Sequence, residues 1–90
     1  MNRELSDILA MAERERQQSV LRISFPGWEH EPRPAGWTST LRRPVTEEMA
    51  EAGILQEIRR DSYRDLIQAL SAQALLIEGV RRSARSGSGT

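Results

Sequence analysis

The one histidine of this chain stands between two carboxylates, in Glu29-His30-Glu31. Imidazole and carboxylate are metal ligands and general bases, so this triplet is the first place to look for chemistry. Its spacing argues against both roles. In an extended stretch adjacent side chains point to opposite sides, and with one His and no Cys the chain has no second His or Cys to complete a ligand set. No motif nearby supplies a nucleophile for His30 to activate. The triplet is therefore expected in a solvated loop. A second acidic group, Glu47, Glu48 and Glu51, resembles a carboxylate pair for acid–base work. Its position at a helix start explains it more simply, because carboxylates there sit against unsatisfied amide N–H groups. There is no glycine-rich phosphate loop. No catalytic residue, no metal ligand and no cofactor is assigned, and no small-molecule substrate is expected.

The residues left over are binding residues. Trp28 and Trp37 each close a short unit, Pro26-Gly27-Trp28 and Pro34-Ala35-Gly36-Trp37. Indole is costly to leave in water, and on a stiff backbone it loses little entropy when it docks. The two tryptophans either fill a pocket on a partner or fold back to cap the chain's own core. Arg33, between them, reaches a carboxylate or stacks on an indole. Further along, Tyr63, Leu66, Ile67, Leu70, Ala74 and Ile77 share one helical face. That stripe is expected to bury itself against the same chain, a second copy or a larger partner. The partner-binding residues expected are thus Trp28, Arg33, Trp37, Tyr63, Leu66 and Leu70.

Composition bounds what the partner is. With 13 basic and 13 acidic residues the formal net charge is zero, which removes global attraction to nucleic acid or to an anionic membrane. Every basic residue is Arg, which suits bidentate pairing with carboxylate or phosphate. The 90 residues make one domain, 38% of them hydrophobic and only four aromatic, Phe25, Trp28, Trp37 and Tyr63. A core that thin is usually supplemented by self-association or by docking, and the isolated chain is not expected to be a well-packed monomer. Apolar runs such as Ala74-Leu75-Leu76-Ile77 fall far below the roughly 18 residues of a membrane span. The N-terminus leads into an acidic amphipathic segment rather than a signal peptide. A cytoplasmic or particle-associated protein with no membrane partner is the expectation.

The elements follow from periodicity. Leu5, Ile8, Leu9 and Ala12 fall on one stripe, with Met11 at its edge, and predict a helix over 5–18 that Ser6 caps. Leu21, Ile23 and Phe25 alternate with polar residues and predict a strand over 19–25. Residues 26–36 hold three of the four prolines and read as loop or polyproline-like extension. Residues 37–43 are β-compatible, so 20–25 and 38–42 pair with each other, pair across a dimer or lie on a partner. Thr46 caps a helix whose stripe is Met49, Ala52, Leu55 and Ile58. Ser62 with Asp65 marks another start, so helix is predicted from 46 to about 82, continuous or broken near 60–62. The Ser/Gly-rich residues 83–90 are expected to be disordered. The fold class expected is mainly α: an N-terminal helix, an extended Pro/Trp segment over 19–45 with at most a two-stranded ribbon, and a C-terminal helical hairpin or single long helix, all in one domain, 1–82.

Residues 38–70 also resemble the ribbon-helix-helix family of DNA-binding proteins. Thr38-Ser39-Thr40-Leu41-Arg42 would be the ribbon, Thr46 to Arg59 the first helix, and Ser62-Tyr63-Arg64-Asp65-Leu66-Ile67 the start of the second. The resemblance implies a dimer in which Thr38, Thr40 and Arg42 face the major groove and the Ser62 amide holds a phosphate. It covers about a third of the chain. The Gly usual between the family's helices is missing, and neutral charge is unusual for a DNA binder.

Charge of both signs is mixed along the whole chain, which suits a protein surface as partner. The function expected is therefore a non-enzymatic interaction module, a small adaptor or accessory subunit that binds protein or itself. Its size class is common among phage-encoded structural and host-modulating factors. A dimeric ribbon-helix-helix-like DNA-binding regulator is the alternative.

Overall fold

The computed structural model describes residues 3–88. In chain order they form α1 (Arg3–Ser24), β1 (Trp28–Arg33), β2 (Gly36–Leu41), α2 (Glu47–Glu51), β3 (Glu57–Arg60) and α3 (Tyr63–Ser88). The three strands make one antiparallel sheet in the order β1-β2-β3. This is a mixed α/β layout and corrects the expectation of a mainly helical fold with a two-stranded ribbon at most.

The first departure lies at residues 19–24, expected as strand and found as the last turns of α1. Alternation of Leu21 with Ile23 is present, but burial follows the helical period instead. Leu21 is fully buried and Ile23 is 81% exposed. Phe25, one turn beyond Leu21, donates its N–H to the Leu21 carbonyl at 2.8 Å and packs against the same core.

The second departure is the Pro-rich stretch. Residues 28–33, expected in a loop, pair with β2 in the register Trp28 with Leu41, His30 with Ser39 and Pro32 with Trp37. Proline lacks the ladder N–H and is accepted in sheets chiefly on edge strands; β1 is an edge. Pro34 and Ala35 turn the chain, and Gly36 completes the reversal at φ +133. A Cβ at Gly36 would run into the Arg60 carbonyl, so the hairpin seats itself against the end of β3.

The third is the long C-terminal helix. Thr46 caps as expected, its Oγ1 accepting from the Met49 N–H at 3.1 Å. The helix then stops after five residues, because Gly53 takes φ +94 and turns the chain. Gln56 locks the chain between this turn and β3. Its Nε2 donates to the carbonyls of Leu41 and Arg43, at 2.8 and 3.0 Å, and its Oε1 accepts from the Val45 N–H at 2.8 Å. Ile58 then enters β3 opposite Ser39. The restart at Ser62 is found where its type and spacing place it: Ser62 Oγ accepts from the Asp65 N–H at 3.1 Å. α3 runs on through Ser88, across most of the segment expected to be disordered; residues 89 and 90 lie outside the described residues.

Both long helices cover one face of the sheet. The strands present Trp28, His30, Trp37, Ser39, Leu41 and Ile58 to that face, while α1 contributes Leu21 and α3 contributes Leu66 and Leu70. Removing each such large side chain from water is worth about 1.5–3 kcal/mol. Gln73 of α3, also buried, accepts from the Leu55 N–H at 2.9 Å and donates to the Gly53 carbonyl at 3.2 Å, which ties the turn before β3 to the helix. The two helices run in the same direction. Arg14 and Tyr63 lie near the Pro34–Trp37 turn, whereas Phe25 and Val80 lie near Trp28. α1 therefore projects beyond the turn at one end and α3 beyond Trp28 at the other, giving extents of 67 × 19 × 18 Å.

Two stability outcomes are expected. Leu70→Ala removes a fully buried side chain and should cost about 2–5 kcal/mol in a urea melt, while Leu75→Ala, at a site 77% exposed, should cost less than about 0.5 kcal/mol. Gly36→Ala meets both a disfavoured φ and a backbone carbonyl. It should lower stability by at least about 1–2 kcal/mol, whereas Gly27→Ala, with open space around it, serves as the neutral comparison.

Candidate functional site

The residue expected in solvent, His30, lies at the centre of the molecule. It is 4% exposed, and its ring joins three elements. Nε2 is 3.0 Å from the Phe25 carbonyl at the end of α1, and Nδ1 is 2.7 Å from Ser39 Oγ on β2. A carbonyl only accepts, so Nε2 carries the proton. Nδ1 then accepts from the Ser39 hydroxyl, and the neutral ring is fully satisfied. Burial pushes the His30 pKa below its ordinary value by disfavouring the charged form; hydrogen bonds to backbone carbonyls act the other way, and Arg42 and Arg22 reinforce the lowering. The carbonyl of His30 accepts from Gln18 Nε2 at 3.0 Å, a second tie to α1. Glu29 and Glu31 flank it on the opposite, exposed side of β1. Among the described residues no group of three or more His, Asp or Glu stands together to hold a metal. With both ring nitrogens engaged inside the fold, His30 is a structural polar centre. The signal that would have found it is period-two burial of Trp28 and His30 in a strand, masked by the prolines.

The expected partner-binding residues divide in two. Trp28 and Trp37 are 3% and 5% exposed, and Leu66 and Leu70 are fully buried. All four belong to the core and are not offered to a partner by the folded chain. Tyr63 is half-buried, its ring 6.3 Å from that of Trp37 in a tilted arrangement. Arg33 is exposed and pairs with Glu31 at 3.2 Å. The residues drawn from the ribbon-helix-helix resemblance are also placed. Thr38 is buried on β2, whereas Thr40, Arg42 and Ser62 are exposed. β2 is the central strand, hydrogen-bonded on both edges, and the segment expected as a first helix contains β3. Residues 38–70 therefore do not have the strand–helix–helix order of that family.

Among the described residues, α1 carries most of the exposed large hydrophobic side chains. Ala12 lies nine residues, two and a half turns, before Leu21, and so on the opposite side of the helix. Around that side fall Leu5, Ile8, Leu9, Val20 and Ile23, exposed by 53, 60, 61, 43 and 81%. Leu5 and Ile23 are five whole turns apart and share one azimuth, which makes a stripe about 27 Å long. The sheet-facing side of α1 is by contrast polar, with Arg14, Gln17 and Gln18 around Leu21. Arg14 Nη2 reaches the Pro34 carbonyl at 3.5 Å. The helix has its more apolar side turned outward. A separate open groove of about 680 Å³ lies where α1 ends, walled by Phe25, Trp28, Met49, Ile77 and Val80, with Arg42, Arg43 and Arg81 beside them. Among the described residues no helix is long and apolar enough to cross a membrane.

The buried neutral His30 makes stability depend on pH. Its folded pKa lies below the unfolded value of about 6.5, so the unfolded chain binds the proton more readily. The stabilising contribution is complete above about pH 6.5 and declines as pH falls below that value. Melting temperatures measured from pH 8 to pH 5 should fall on the acid side in the natural chain. His30→Gln should lower stability at every pH and remove that mid-range slope; an unchanged slope would assign it to other groups.

No protein-family model, no curated protein and no solved structure matches this chain.

Proposed function

We propose that this chain is a non-enzymatic interaction module, an accessory subunit that joins a larger assembly by docking the outward side of α1 on protein. One observation carries the reading. Leu5, Ile8, Leu9, Val20 and Ile23 form a helix-long row on the side away from the sheet, 43–81% exposed. Single apolar side chains on a surface are ordinary. Five on one side of a single helix, clustered toward its two ends, are different, because covering them is worth roughly 25 cal/mol per Å² of apolar surface removed from water. The part of α1 that projects past the hairpin turn also lacks tertiary support. Most of a helix's stability in a protein comes from packing of one face, and a docked partner supplies that packing here. The mixed charge of the helix, with Glu13, Arg14, Glu15 and Arg16 in succession, suits a protein surface better than a polyanion.

A photo-crosslinking amino acid placed at Ile8, at Ile23 and, as a control, at Glu48 of α2 tests this in the cells that express the chain. Ile8 and Ile23 should each give a discrete adduct and Glu48 none. Absence of any adduct from both α1 positions would overturn the proposal.

A further inference from the structure

Resting on that reading, we propose that the partner of α1 is α1 of a second copy, packed antiparallel about a two-fold axis that passes near Arg14. The stripe itself argues for it. Its large apolar residues cluster at the two ends, Leu5, Ile8 and Leu9 at one and Val20 and Ile23 at the other, with Ala12, Arg16 and Ser19 between. Such a pattern matches itself when one helix is reversed. Leu5 then lies against Ile23 of the second copy; on the flank that Leu9, Glu13, Arg16 and Val20 share, Leu9 lies against Val20; on the other flank Ile8 lies against Ser19; and small Ala12 makes room for the long side chain of Arg16. A parallel pairing would instead set Arg16 against Arg16 in the middle of the seam.

Charge points to the same arrangement. Glu13 and Arg16 lie on the same flank of the stripe and straddle its midpoint, so reversal brings each opposite the other in the second copy. Within one chain these groups already pair at 3.4 Å, both well exposed. Dimerisation lets them exchange partners without stranding a charge. The stripe lies opposite the sheet-packed side, so the second copy approaches without meeting the sheet. A specific dimer needs on the order of 1,000 Å² of total buried surface, and a helix pair of about 27 Å with five large apolar side chains from each copy is of the kind that reaches it.

The absence of cysteine makes the test clean. Sedimentation of the full chain should give twice the 10.2 kDa of one copy, and Ile8→Glu should return it to a monomer with the core melt unchanged. Under oxidation, a mixture of the Leu5→Cys and Ile23→Cys chains should form a mixed disulfide dimer that neither variant forms alone; Leu5→Cys crosslinking to itself would mean parallel packing and overturn the proposal. Glu13→Arg and Arg16→Glu should each weaken self-association roughly 3- to 10-fold, and mixing the two should restore it as a heterodimer, since each then meets an opposite charge. A natural chain that stays monomeric at 100 µM overturns the inference. If Ile8 crosslinks to a different protein in that case, the proposed function stands with another occupant; if it crosslinks to nothing, both fail.

Discussion

The structure turns on keeping one imidazole neutral and satisfied in the middle of a small core. His30 links the end of α1, through the Phe25 carbonyl, to the central strand, through Ser39. Ser39 is itself fully buried and lies opposite Ile58 of β3 in the ladder. A single ring therefore ties the first helix to the hairpin, and its partner Ser39 joins the hairpin to the last strand. In an apolar interior a buried donor or acceptor left unpaired is costly. Among the described residues no buried side-chain nitrogen or oxygen lacks a partner, so the arrangement gains specificity without that penalty. Gln56 and Gln73 work in the same way at the other end of β3, each bonding to backbone across a gap that the ladder does not close.

Much of the local grammar was legible in the residues. Thr46 and Ser62 cap helices where their types and spacing place them, because hydroxyl-to-amide bonds at a helix start are local chemistry. Leu66 and Leu70 are buried as the 3.6-residue period requires, with Tyr63, Ile67 and Ile77 half-buried beside them and Ala74 exposed. The failures share a cause: a tertiary partner outvoted the local signal. Leu21 and Ile23 alternate like a strand, but Leu21 alone is wanted by the sheet. Met49, Ala52, Leu55 and Ile58 have helical spacing, yet Gly53 breaks the run and the unpaired edge of β2 takes Ile58 as a strand. Prolines at 26, 32 and 34 suggest a loop, and only the knowledge that β1 is an edge makes Pro32 acceptable. His30 was missed for the same reason, since its burial is visible only once β1 exists.

The tryptophans show how far composition reaches. With four aromatics in the chain, two indoles could serve a partner or a core, and the sheet decides for the core by setting Trp28 and Trp37 on its helix-covered face. Once they are spent there, the apolar surface still unaccounted for is the one composition hid best. It lies on a helix whose sheet-facing side is polar, so ordinary amphipathic reasoning assigns the Leu5–Ala12 stripe to the interior when it is outside.

Because the chain returns through three strands between its long helices, α1 and α3 run the same way along the sheet instead of opposing each other. Each helix carries about half a positive elementary charge at its start and half a negative charge at its end. Here these macrodipoles add. In a chain of formal net charge zero they set partial charges of opposite sign toward the two ends of a 67 Å axis, and Asp65 at the start of α3, with Arg22, Arg42, Arg43 and Arg81 where the helices end, acts against them. Two such bodies side by side repel when they point the same way and attract when reversed, so the topology of a single copy already favours one orientation of any pair over the other, most strongly at low ionic strength.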